Sequence, residues 1–172
     1  ATDATILSLN AAKEIGAQQL LLHSSPIKIG KYTGTIMQAW QKGKMQDPNL
    51  TRIIKIAMDK RPLVSDAILD AWKKSLDPVL SQAQDQGIEI VMRPPIYPWD
   101  FPTRDDLSAL FAEFQGSPLR VYYDCARVHC HEFLAMESGF EWRRTFAEQL
   151  IGFHVNDCID FGLGYLPGQG SV

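Results

Sequence analysis

The sequence predicts an α/β fold built on a parallel sheet, and three observations carry that reading. Short runs of strand length recur at Leu20–His23, Ile88–Met92, Leu119–Tyr123 and Leu150–Val155. Each is preceded by a stretch with helical spacing of apolar residues, and each is followed by a polar loop. Helix, strand and loop repeated four times is the alternation of βα units, in which helices cover the faces of a parallel sheet.

Taken in order, Thr5 to Ile15, opening near Asp3, spaces its apolar residues as a helix and stops at Gly16. Leu20-Leu21-Leu22-His23 is apolar without alternation, which suits a strand covered on both faces. Residues 24–63 are irregular, with short helices expected around Ile36–Trp40 and Thr51–Met58 inside a long loop. Val64 to Gln86 reads as a long helix with Ser65 as N-cap, a stripe of Ala67, Ile68, Ala71 and Trp72, and Gly87 as its end. Pro78 is expected to kink or restart it. Thr103 and Asp106 have the spacing of a capping box for a helix through Phe114, closed by Gly116. Glu141 to Gln149 reads as the last helix. Trp40, Trp72 and Trp142 sit on helical stripes and read as packing.

Composition narrows the function. Seventeen Lys and Arg against 20 Asp and Glu give a net charge of −3 over 172 residues. This argues against a nonspecific nucleic-acid or acidic-membrane binder. The length suits one domain spanning 1–172 with a single core. Three cysteines, Cys125, Cys130 and Cys158, are too few and odd in number for a disulfide framework, so reduced thiols in a cytoplasm-like compartment are expected. No apolar run nears the roughly 20 residues of a membrane-spanning helix. Ala1 to Thr5 shows no export signal.

The strand ends hold the chemistry. The four strands are expected to finish at His23, Arg93, Asp124 and His154, the last three spaced by 31 and 30 residues, one βα unit each. In parallel α/β folds ligands sit at the carboxyl ends of the strands, where loops converge. After Arg93 comes a stiff aromatic loop, Pro94 to Pro102, in which Trp99 and Phe101 either wall a pocket or simply pack. After Asp124 comes Cys125-Ala126-Arg127-Val128-His129-Cys130-His131-Glu132, dense enough in Cys and His to invite a zinc reading but matching no closed four-ligand spacing. After His154 comes Asn156-Asp157 and a Gly-rich tail with no following helix to make a phosphate cradle. Neither a Walker motif nor a nucleophile elbow is present.

Four stretches, Ala11 to His23, Asp100-Phe101-Pro102-Thr103, Leu119 to Arg127, and Phe153-His154-Val155-Asn156-Asp157 with Leu166-Pro167-Gly168-Gln169-Gly170, carry a resemblance. At these residues the chain resembles the sugar phosphate isomerase/epimerase superfamily, the xylose isomerase-like TIM barrels. Their members include hydroxypyruvate isomerase, ketose 3-epimerases, inosose dehydratase and endonuclease IV. The resemblance implies a divalent metal (Mn, Zn, Co or Mg) held by Glu, Asp, His and Glu from successive strand ends, with proton transfer beside a carbonyl. Asp124 and His154 match two of those ligands, and His23 matches a substrate-side histidine. Trp99, from the aromatic loop, and Asp157, after His154, are further candidates for substrate binding.

The chain also departs from the family pattern. The family's first Glu falls at Arg93, the His closing its "Asp-Thr-Gly-His" motif falls at Arg127, the tail His appears as Gly164 or Tyr165, and the last Glu lies beyond this chain. Two guanidiniums beside Asp124 would repel a divalent ion, and Arg93 would pair with Asp124 in its place. A whole (β/α)₈ barrel takes roughly 250 residues, so the match covers about the third to the seventh strand of a partial barrel. The remainder would come from a second copy, from a complementing segment, or from a longer protein of which this is a portion.

Three functional expectations follow. One is a pocket binding a small sugar or hydroxy acid, with Arg93 and Arg127 on its carboxylate or phosphate and His23 and His154 as acid/base groups. Another is a non-catalytic pseudoenzyme serving as an interaction or scaffold domain. The third keeps a metal on a rearranged set of Asp124, His129 or His131, and His154. A DNA-cleaving role is least favoured, because a trinuclear zinc set and a basic surface are both lacking.

Overall fold

A computed structural model of the chain describes residues 2–27, 33–44, 47–134, 136–159 and 162–172. Four strands, β1 (Gln19–Leu21), β2 (Glu89–Met92), β3 (Leu119–Asp124) and β4 (Leu150–His154), form one parallel sheet in the order β1-β2-β3-β4. The sheet is flanked by α1 (Thr2–Glu14), α2 (Thr33–Gln41), α3 (Pro48–Lys60), α4 (Pro62–Gln86), α5 (Arg104–Glu113), α6 (Cys125–Phe133) and α7 (Gly139–Thr145). A separate antiparallel hairpin, β5 (Asp157–Ile159) and β6 (Gly162–Tyr165), closes the described fold.

The sheet is apolar because it is covered. Ile90, Val91 and Met92 of β2 are almost wholly buried, whereas β1 and β4, at the two edges, are only partly so. Among the described residues the sheet does not close into a barrel. Leu76, Val79, Leu80 and Ala83 recur at the i, i+3, i+4, i+7 spacing and turn one face of α4 into the core, where α1 adds Leu9 and Ala12. Gly87 ends α4 with φ 67°, the left-handed conformation that a residue without a Cβ adopts at no steric cost.

Several expectations are corrected here. α4 begins at Pro62, placed in the first turn where its missing N–H costs nothing, so Ser65 lies inside the helix and bonds back to the Pro62 carbonyl. The helix also runs unbroken through Pro78. Pro78 and Lys74, whose carbonyl loses its partner, are both exposed, so water can serve the orphan group. The buried stripe lies toward the C-terminal half: Ala67 and Ala71 are exposed, while Trp72 stacks on Phe101 at 4.9 Å. The first strand ends at Leu21 rather than His23, and α7 ends at Thr145 rather than Gln149. The segment after Asp124 is helix, not loop, and the Gly-rich tail holds β6. The side chain of Trp40 lies outside the described residues; Trp142 is in the core. The Thr103–Asp106 capping box is formed as expected, and α2 and α3 cover the two short helices expected before Leu63.

Candidate functional site

Parallel pairing carries the ends of β2, β3 and β4 to one rim of the sheet, with Asp124 opposite His154 in register and Arg93 immediately past Met92. Asp124 is the centre. Its backbone turns from strand to helix as the N-cap of α6, and its Oδ1 accepts the Arg127 N–H at 3.2 Å. Its Oδ2 lies 2.8 Å from His154 Nδ1, 3.2 Å from Arg127 Nε and 3.3 Å from Arg93 Nη1. The Asp124 side chain is fully buried, the two arginine side chains nearly so, and His154 is half exposed.

Helix geometry explains why Arg127 joins. Three residues on from the cap, it sits one turn above Asp124 on the same face, and its Nη1 donates to the Pro94 carbonyl at 2.9 Å. Burial, and after it the neighbouring Arg93, pull its pKa down, with Asp124 opposing. Arg93 is held less completely, for its Nε is buried without a partner among the described residues. A buried unpaired donor costs about 1–3 kcal/mol, so the guanidinium stays for its charge rather than for a full set of hydrogen bonds.

His154 Nδ1 also lies 3.0 Å from Arg93 Nη1. One nitrogen cannot both donate to a carboxylate and accept from a guanidinium. The shorter, charge-assisted contact with Asp124 assigns the proton to Nδ1. Nε2 then carries the free lone pair, on a ring that is half open to solvent. Two guanidiniums against one carboxylate leave the cluster with one net positive charge.

The other sequence-expected residues go elsewhere. His23 is exposed, next to the edge strand β1, and makes no hydrogen bond or ion pair among the described residues. Trp99 is 1% exposed and stacks on Tyr97 at 5.2 Å, so it packs the interior instead of walling an open pocket. Asp157 is buried by the tail. Its Oδ1 accepts from Val172 N and Cys158 N, and its Oδ2 from Gly170 N and Gly168 N, all at 2.9 Å. Those four N–H groups, Val172's foremost, hold its pKa down at about 2. The carboxylate is a clasp for the chain's own backbone, with no lone pair left over for a substrate.

His131 is fully buried, with Nδ1 3.0 Å from Glu137 Oε2 and Nε2 3.4 Å from the Ile96 carbonyl. His129 Nε2 lies 3.4 Å from Ser171 Oγ. His129 is turned to another side of α6, while His131 lies on Asp124's side but two turns farther along, held by Glu137 and Ile96; no group of three His, Cys, Asp or Glu poised to hold a metal occurs among the described residues. The donor set at Asp124 does not fit a divalent ion: both carboxylate oxygens are taken, and two cations stand against it. All three cysteines are free, and Cys130 and Cys158 are buried. The described hollows lie away from this rim; a cleft of about 570 Å³, lined by Phe111, Gly116, Arg120 and Glu148, sits where the chain enters β3 and β4.

Sequence reasoning missed Asn156, whose Oδ1 accepts the Ala126 N–H in the first turn of α6, and the carbonyl of Pro94. An Asp followed three residues later by a long polar side chain was the available signal for a helix start at Asp124.

No protein-family model matches the chain, and no curated protein does. A solved structure does: the crystal structure of a xylose isomerase domain protein from Planctomyces limnophilus, with a TM-score of 0.53 at 13% identity. The fold is xylose isomerase-like. The likeness takes in 99% of this chain but 50% of that one, so the chain spans about half the length of the structure it matches. At this identity the likeness speaks for the α/β architecture alone. Four parallel strands with helices agree with part of a barrel of this type. No described helix is long and apolar enough to cross a membrane.

Proposed function

We propose that the chain is a sugar isomerase- or epimerase-like domain that binds a small anionic ligand, a sugar phosphate or hydroxy acid, at the rim formed by β2, β3 and β4. The observation that carries this reading is the Arg93–Asp124–His154–Arg127 cluster, with its one excess positive charge and its half-open imidazole. Each guanidinium has five N–H donors, and Asp124 and Pro94 occupy only part of them. The remainder suit the planar oxygens of a carboxylate or phosphate.

His154 then has an acid/base role. Its Nε2 takes a proton from a carbon beside the ligand's carbonyl, or from a hydroxyl, and returns it, while Asp124 stabilises the imidazolium formed in between. No step passes through a metal, since the residues at this rim do not fit one. The saturation of Asp124 favours a second reading, a non-catalytic domain that keeps the binding rim for interaction only.

Calorimetry with ketose phosphates and α-hydroxy acids tests both. Binding by the wild type, weakened about tenfold or more in Arg93→Gln, as expected for hydrogen bonds to a charged group, supports the ligand reading. Unchanged binding in that variant, or none in the wild type, ends it. Solvent deuterium appearing in a bound ketose by NMR, and absent with His154→Gln, selects the enzyme over the scaffold.

A further inference from the structure

We propose that Arg93 is the resident cation of this site: its Nη1 occupies the position between Asp124 and His154 that a divalent metal ion would take, so this one side chain decides between a metal-free and a metal-holding rim. The geometry is specific. Arg93 Nη1 lies 3.3 Å from Asp124 Oδ2 and 3.0 Å from His154 Nδ1, while those two ligand-type atoms are 2.8 Å from each other. One point is thus shared by an oxygen and an imidazole nitrogen, the donor types that zinc takes at about 2.0–2.2 Å, and an ion there would displace the Nδ1 proton that His154 gives to Asp124 while Arg93 is in place. Shifts of about 1 Å by both side chains would bring the two atoms to that distance.

Side-chain length completes the argument. A glutamate oxygen is two bonds nearer the backbone than an arginine Nη, and a metal–oxygen bond of about 2 Å spans the difference. Glutamate plus an ion therefore fills the space that the guanidinium fills alone. The buried Arg93 Nε without a partner agrees, since the surroundings serve the charge at the tip and not the donor on the stem. Carboxylate, carboxylate and imidazole form a donor set suited to manganese. Arg127 is the second cation, 3.2 Å from Asp124 Oδ2, and its charge opposes an incoming ion even when Arg93 is gone.

Arg93→Glu is the direct test, with Arg127→Gln added as a second variant, and circular dichroism confirming that each is folded. The probe is manganese chloride, read as loss of the free-ion electron paramagnetic resonance signal and as metal content after gel filtration. The expected result is about one ion per chain in R93E, alone or with Arg127→Gln, bound about tenfold or more tighter than by the wild type. It should be lost when His154→Ala is added. Wild-type protein that binds manganese as well as R93E overturns the inference. So do folded R93E and R93E/R127Q proteins that bind none. The readout involves no sugar or hydroxy acid, so the ligand reading and this one fail separately.

Discussion

Asp124 and Asp157 are both buried and both saturated with donors, yet they serve opposite ends. Asp124 takes side-chain donors from three separate elements, two of them guanidiniums. Asp157 takes four backbone N–H groups, three of them from residues 168–172. Backbone donors carry no net charge and present nothing to a ligand, so their carboxylate is a structural clasp. Side-chain donors bring charge, can move and can exchange partners, so theirs is a site. Residue type does not separate these two roles; the origin of the partners does.

The largest expected effect is at Asp124. Asp124→Ala leaves Arg93 and Arg127 facing each other in the interior, and removing one partner of a buried ion pair costs about 3–5 kcal/mol. Urea unfolding measures it, and a loss below about 1 kcal/mol would mean that solvent reaches the cluster freely.

A third carboxylate, Asp100, responds to pH in the opposite direction to Asp157. Asp100 is buried, with one backbone donor, Ile27 N–H at 2.8 Å, and burial raises its pKa to about 6 against the pull of that bond, Arg61 and His131. The folded state thus binds its proton more tightly than the unfolded chain, whose value lies near 4. Stability from this group is full below about pH 4 and declines as pH rises to about 6, and Asp100→Asn should remove that slope. Asp157 carries the opposite sign. Its pKa of about 2 makes its contribution complete above about pH 4 and lost as pH falls through 2. Melting curves from pH 2 to 7 on the two Asn variants read both slopes.

The smallest expected effect is confined to the tail. A Cβ on Gly170 would collide with the Cys158 carbonyl and Asp157 Oδ1, so only glycine allows the chain to lie across the clasp. Gly170→Ala should release residues 166–172, seen as faster amide exchange there, with exchange in β2 and β3 unchanged. Protection retained in the tail would show that the clasp accommodates a Cβ at position 170.

Much of this molecule was legible in local pattern. The capping box at Thr103, the end of α4 at Gly87 and four parallel strands all follow from spacing and from residues with one strong conformational preference. The start of α6 was not, because Cys, Val and His are indifferent helix formers and the helix depends on Asp124 and Asn156 to cap it. The same limit applied to the site. Arg93, Asp124 and His154 stood out at strand ends and Arg127 just after one, and the four do converge. His23, Trp99 and Asp157 stood out as well, and the fold sends them to solvent, core and tail.

The alternation of helix and strand and the charged residues Arg93, Asp124 and Arg127 close to the strand ends are properties of neighbours along the chain, and so could be read without a structure. Which partner each charge meets is chosen by the fold. That choice depends on strand register and on the rotational phase of α6, which bring together residues about 30 positions apart and set which of two aspartates keeps company with charge and which with backbone.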